Sequence, residues 1–186
     1  RKLHGKRYFG QLLERVEDVP DSVKDLLKLS RSNLELFVAI QKKLLKVLRE
    51  DSLISKRVEL LQSISGVGEI MALTWVLEIG DPGRFSNSRQ AISYCGLCSA
   101  QRESAGKEHR GPISKQRNKY LQTMLIEAAN IAPQWNPQLA MLKEKELTRG
   151  NGNRATLAVA RKLVKYMLAV DRRGEPFIAE KESLIA

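Results

Sequence analysis

Apolar residues in the first quarter of the chain recur with the spacing of one long helix. Leu27, Leu34, Gln41 and Leu48 lie seven residues apart, and Ser30, Phe37 and Leu44 fill the companion position of the same heptad. The pattern predicts a helix over residues 22–50, with Pro20 between Asp18 and Asp21 marking its start. Such a seam suits a coiled coil between chains or an amphipathic helix packed on its own domain. Polar Ser30 and Gln41 would weaken a coiled coil while fixing its register.

Beyond residue 50 the helical period continues in shorter pieces. A helix is expected from Ser52 to Ile64, with Val58, Leu61 and Ile64 on one face, ending at Ser65-Gly66-Val67-Gly68. Another should run from about Glu69 to Ile79 and stop at Gly80-Asp81-Pro82-Gly83. Ser86 can cap a short helix through Tyr94. Residues 97–113 are polar and broken by Gly106, Gly111 and Pro112, which predicts an exposed loop or a small hairpin. A helix from Ser114 to Ala132 should bury Tyr120, Leu121, Met124, Leu125 and Ala128. A shorter charged helix to Thr148 follows, then a turn at Gly150-Asn151-Gly152-Asn153 and a final helix from Arg154 to Val170. No convincing run of alternating strands appears. The expected fold is all-α: a long coiled-coil-like helix followed by a compact helical domain containing a helix-hairpin-helix. Residues 1–56 would form a connecting and dimerising helix, 57–175 the compact domain, and 176–186 a tail.

Charge adds a class of partner. The net charge is +11, and it is uneven: residues 101–120 hold six basic against two acidic side chains, whereas 51–100 hold four against five. Blocks of positive charge beside near-neutral stretches point to a phosphate-facing surface. No apolar run approaches the ~20 residues of a membrane span, and no signal sequence is apparent, so a cytoplasmic protein is expected. The chain begins without methionine, which points to a piece of a longer protein. Cys95 and Cys98 form a lone C-x-x-C, two ligands short of a structural zinc site, and read as packed thiols at a helix end. The acids Glu59, Glu69, Glu78 and Asp81 assemble into no two-metal site, so no metal residue is assigned.

Two segments carry chemistry. Helix, Ser65-Gly66-Val67-Gly68, helix has the form of a helix-hairpin-helix. Its glycines let backbone approach a phosphate, and the second helix offers unpaired N–H groups and the positive end of its dipole. The stretch from Gln101 to Lys119 gathers Arg102, Ser104, Lys107, Arg110, Lys115, Arg117 and Lys119, with Asn118 adding an amide. Its cations could neutralise charge on phosphate oxygens. On spacing alone a phosphate-binding basic loop is favoured over a catalytic Ser104. No base is fixed for the hydroxyl, and His109 is the only histidine nearby. Trp75 and Trp135 read as core or interface residues rather than base-stacking platforms.

Taken together, segments from about Leu60 to Met167 resemble the transposases of the insertion-sequence 110/116/902 group, relatives of Piv-type DNA invertases. The likeness lies in Leu61 to Gly68, Glu78-Ile79-Gly80-Asp81, Arg84-Phe85, Tyr94-Cys95-Gly96-Leu97, Ser104-Ala105-Gly106-Lys107, Gly111 to Lys115, Asn118 to Leu121 and Ala158 to Leu163. The resemblance implies a recombinase whose N-terminal nuclease half, outside this sequence, binds magnesium through four acids. A coiled coil then leads to a C-terminal domain that supplies a serine, here Ser104, which holds the cut strand as a phosphoserine. It also implies a structured guide RNA, and places Arg161 and Lys162 with Gly66, Gly68 and the basic loop in the nucleic-acid-binding set. No cofactor is expected in this chain itself, which should associate with copies of itself through residues 22–50. The chain departs from the family at Ala105, Arg117 and Gln122, where Gly, Gly and Arg are usual, and lacks a proline common near Ser99. A non-catalytic helix-hairpin-helix module of repair or recombination is the alternative reading. An RNA-binding assembly factor is a third.

Overall fold

Residues 5–104, 107–113 and 117–178 are described in a computed structural model, without the side chains of Lys6 and residues 100–112. The chain divides into two compact units, one up to Glu50 and one from Asp51.

The first unit holds α1 (Lys6–Arg15) and α2 (Asp21–Glu50). The heptad pattern had defined α2 to within a residue at its start. The sequence pattern gave no sign of α1, whose N-terminal residue Gly5 offers no side-chain cap. Arg31 of α2 lies over the Phe9 ring of α1, 5.6 Å from its centroid.

The second unit is helical around α8 (Gly152–Arg173), which buries Ala155, Val159, Ala160, Leu163, Val164 and Met167 at helical spacing. Packed with it are α3 (Ser52–Gln62), α5 (Ser88–Tyr94), α6 (Lys119–Ile131) and α7 (Pro137–Leu147); α4 (Glu69–Ile79) packs on α3 and α6. Burying side chains such as Leu61, Leu121 and Leu163 contributes roughly 1.5–3 kcal/mol each. A buried polar clamp ties three of these helices. Asp171 of α8 accepts from Arg57 Nε and Nη2, both at 2.8 Å, and from Trp75 Nε1 at 2.9 Å. The carboxylate hydrogen bond, offset in part by burial, holds the Arg57 guanidinium above its ordinary pKa.

The fold is all-helical except for one antiparallel hairpin, β1 (Ser99–Ser104) and β2 (Lys107–Ile113), in the stretch expected to be a loop or hairpin. Several local expectations are corrected. Asn87, not Ser86, caps α5, accepting from Arg89 N and Gln90 N, while Ser86 N donates to Gln90 Oε1. α6 starts at Lys119 under an Asn118 cap rather than at Ser114, which lies outside the described residues. The buried face of α6 is Leu121, Leu125 and Ala129; Tyr120 is exposed. Asn151 caps α8 from Gly152, two residues earlier than expected.

Candidate nucleic-acid interface

The two glycines between α3 and α4 do different jobs. Gly66 has φ +95°, and a β-carbon there would stand 2.5 Å from Ala132 Cβ. It is required for the close passage of the hairpin over the corner after α6. Gly68 has ordinary extended angles, nothing within 4 Å of where a β-carbon would sit, and no side-chain cap over the helix it opens. Backbone approach by an anion is therefore possible at Gly68, where the N–H groups of the first turn of α4 begin.

The second expected segment forms the β1–β2 ribbon. Its register sets Ser104 opposite Lys107, Arg102 opposite His109 and Gln101 opposite Arg110. Ser104 and Lys107 thus close the ladder at the end of the strands, with only Ala105 and Gly106 between them in sequence. Lys115 lies outside the described residues.

The root of the ribbon is fixed by contacts far apart in sequence. Gly96, at φ +71°, ends α5, and a β-carbon there would meet Arg117 Cβ. Gln122 Nε2 donates to Gly96 O at 2.6 Å, and Arg161 Nε donates to Leu97 O at 2.8 Å. Arg117 and Gln122, two of the departures from the family pattern, therefore meet at one glycine. Asn118 is held on every side. Its Oδ1 accepts from Leu121 N at 3.0 Å, its Nδ2 donates to Glu78 Oε2 at 2.5 Å, and its backbone N donates to Tyr94 O at 3.2 Å. Asn118 thus locks the start of α6 to α4 and α5. Gln90, Ser93, Tyr94, Arg117 and Asn118 line an open cleft of about 660 Å³ beside this root. Lys119, at the first position of α6, is exposed.

Neighbours in the last motif part company. Arg161 serves the ribbon root, whereas Lys162 lies over the Tyr166 ring, 5.0 Å from its centroid, in a groove of about 580 Å³ shared with Arg173 and Phe177. Cys95 is buried at the end of α5. Desolvation pushes its thiol up to about 12, opposed by Arg84, so it is neither a thiolate ligand nor a nucleophile at neutral pH. Arg84 itself stacks on Phe85 and Tyr94, at 4.4 and 4.3 Å from the ring centroids. No cluster of three His, Cys, Asp or Glu that could hold a metal occurs among the described residues, and no described helix is long and apolar enough to cross a membrane.

Gly66 rests on Ala132, just past the end of α6, while Asn118 and the ribbon root stand at its beginning. Ala132 and Asn118 therefore stand at opposite ends of α6, 13 residues or about 20 Å apart. Trp135 was expected in the core or at an interface. It is 68% exposed on the corner that Gly66 touches, with its backbone N–H donating to Ala132 O. Trp75, by contrast, is core. Pro133 and Pro137 on either side of Trp135 were the only sequence sign of a rigid corner.

The glycine hairpin and the ribbon root thus lie on one helical core. Residues 58–144 match the family model Transposase IS116/IS110/IS902. The transposase for insertion sequence element IS1111A of Coxiella burnetii is 35% identical over 121 residues, covering 62% of this chain and 33% of that protein. The transposase for insertion sequence element IS1328 of Yersinia enterocolitica is 30% identical over 121 residues, covering 63% and 36%. The chain thus spans about a third of the length of the curated relatives it matches.

Proposed function

We propose that this chain is the part of a transposase that grips nucleic-acid backbone and presents Ser104 to the scissile phosphate. The observation that carries the reading is the position of Ser104, at the end of a basic ribbon, opposite Lys107 and within the segment shared with transposases. The serine oxygen attacks phosphorus, its proton leaves to a base, and the displaced oxygen departs with one strand end while the other stays bonded to protein. Arg102, Lys107, Arg110, Lys115 and Lys119 supply positive charge for the phosphate oxygens. Arg161, Arg117 and Asn118 hold the root from which the ribbon projects, and Lys162 contacts nucleic acid from its separate groove.

The hairpin at Gly68 is the second grip. One domain can therefore hold a backbone at two places while reading little sequence. The magnesium-binding acids and guide-RNA contacts of a complete recombinase belong largely to protein outside this sequence, as does completion of the reaction. The 1–56 segment acts as the connector, associating with other copies through residues 22–50, and the working compartment is the cytoplasm.

The test is covalent trapping. Full-length transposase incubated with labelled DNA, guide RNA and magnesium, then denatured, should carry labelled strand on the protein. Salt-sensitive binding with no adduct would favour the non-catalytic module instead.

A further inference from the structure

After α8 the chain returns to the end of α3, where the glycine hairpin begins. Helix α8 closes at Gly174, whose N–H donates to Val170 O at 2.9 Å. In residues 174–178 Phe177 alone is not fully exposed, and Ile178 is 83% exposed. The segment is therefore held at one residue.

Phe177 is held twice. Its backbone N–H donates to Ser63 Oγ at 2.7 Å, and its ring packs on Tyr166 with centroids 4.6 Å apart. Phe177 lies in no helix or strand, so its N–H finds its partner in this side chain. Ser63 is the C-cap of α3, and its hydroxyl donates to Leu60 O at 2.5 Å. One serine oxygen thus joins the end of α3 to the returning segment. Tyr166 in turn donates to Gln138 Oε1 at 2.6 Å and carries Lys162 over its ring.

A continuous path therefore runs from Lys162 through two stacked rings and the Ser63 hydroxyl to the hairpin. Its ends are two contacts assigned above to nucleic acid, at Lys162 and at Gly68. On its far side the hairpin is already fixed, by Gly66 on Ala132 and by buried Ile64 and Val67. The remaining hold falls on Ser63, where the chain enters the turn. Contiguity alone does not couple two sites; both must bias one element that has two states. The Ser63–Phe177 latch is such an element, because breaking it frees the entry to the hairpin and uncovers Tyr166 together. We propose that residues 174–178 form a positioning strap, latched by Ser63 and Phe177, which sets the glycine hairpin and couples the contact at Gly68 to that at Lys162. The proposal rests on the nucleic-acid grip stated above and adds a linkage between its parts.

Two measurements on the 186-residue chain test it. The first is amide hydrogen exchange without nucleic acid. Ser63→Ala and Phe177→Ala should each speed exchange of the Val67 amide about five- to tenfold, the effect of one lost hydrogen bond, and leave Leu163 in the core unchanged. Ser63→Thr, which keeps the hydroxyl, should restore protection. Unchanged exchange at Val67 in both variants overturns the strap, and Phe177→Ala decides should Ser63→Ala unfold. The second is a double-mutant cycle read by binding of a labelled DNA duplex. Lys162→Gln and Gly68→Val together should weaken binding by about fivefold less than the product of their separate effects. With Ser63→Ala present, the effects should simply multiply. Losses that multiply in the otherwise wild-type chain overturn the coupling, and coupling that survives Ser63→Ala overturns the part given to the latch. An affinity that neither single change alters overturns the grip and the coupling with it, while the exchange result still decides the strap.

Discussion

Replacing Gly66 by alanine should destabilise the second unit strongly, while the same change at Gly68 should leave it nearly as stable. At Gly66 the new β-carbon would lie 2.5 Å from Ala132 Cβ and 2.6 Å from Ala132 Cα, in a backbone conformation at φ +95°. Overpacking against rigid neighbours costs about 1–3 kcal/mol, and the conformation adds roughly 1–2 kcal/mol. Together these amount to about 3 kcal/mol, or on the order of 10 °C in Tm for a domain of this size. At Gly68 the site is open and the angles are allowed, so alanine should change stability by less than about 1 kcal/mol. A bulkier Gly68→Val should instead weaken duplex binding by crowding the start of α4. Urea titration gives the stabilities, and fluorescence anisotropy with labelled duplex at two salt concentrations gives binding. Equal stability of the two alanine variants would refute the division of labour, as would loss of duplex binding by Gly66→Ala with its fold intact.

Other consequences follow from individual contacts. Asp171→Ala should cost about 3–5 kcal/mol, because Arg57 and Trp75 Nε1 lose a buried partner; urea unfolding with an unchanged midpoint would contradict it. Cys95, with a pKa raised from 9.0 to about 12, stays neutral when folded, so iodoacetamide at pH 8 should label Cys98 first and Cys95 only on unfolding. A raised thiol pKa also means that its contribution to stability is complete below pH 9.0 and lost as pH rises toward 12, which alkaline unfolding curves would register. Trp135→Ala should leave the urea midpoint nearly unchanged, since the ring is 68% exposed, yet lower nucleic-acid affinity; unchanged affinity would assign the ring to another partner.

Periodicity carried the helices well where a glycine or proline turn bounded them, as at Gly80 and Pro20. It failed at starts governed by asparagine. Asn87, Asn118, Asn136 and Asn151 cap four helices, and Asn is as good a cap as Ser, so Ser86 and Ser114 were equally plausible from sequence. Tyr120 followed the helical period into an expected core, but its position turns it to solvent and leaves the burial to Leu121 and Leu125. The basic ribbon and the glycine hairpin were legible because their chemistry is local. The ribbon root was not: Gln122 reaches back 26 residues to Gly96, and Arg161 reaches back 64 to Leu97. Likewise, two glycines two residues apart looked alike until Ala132, 66 positions after the first, was seen to touch only one of them.

The central claim is that Ser104 becomes bonded to DNA, and the sequence permits a direct measurement. Trypsin cuts after Arg102 and Lys107, releasing Glu103-Ser104-Ala105-Gly106-Lys107, in which Ser104 is the only hydroxyl. The trapped adduct of the full-length transposase, digested with nuclease and trypsin, should yield that peptide carrying phosphate by mass spectrometry, and Ser104→Ala should abolish the adduct while nucleic-acid binding persists. Phosphate found instead on the peptide containing Ser99 or Ser114, or an adduct that survives Ser104→Ala, would contradict the assignment.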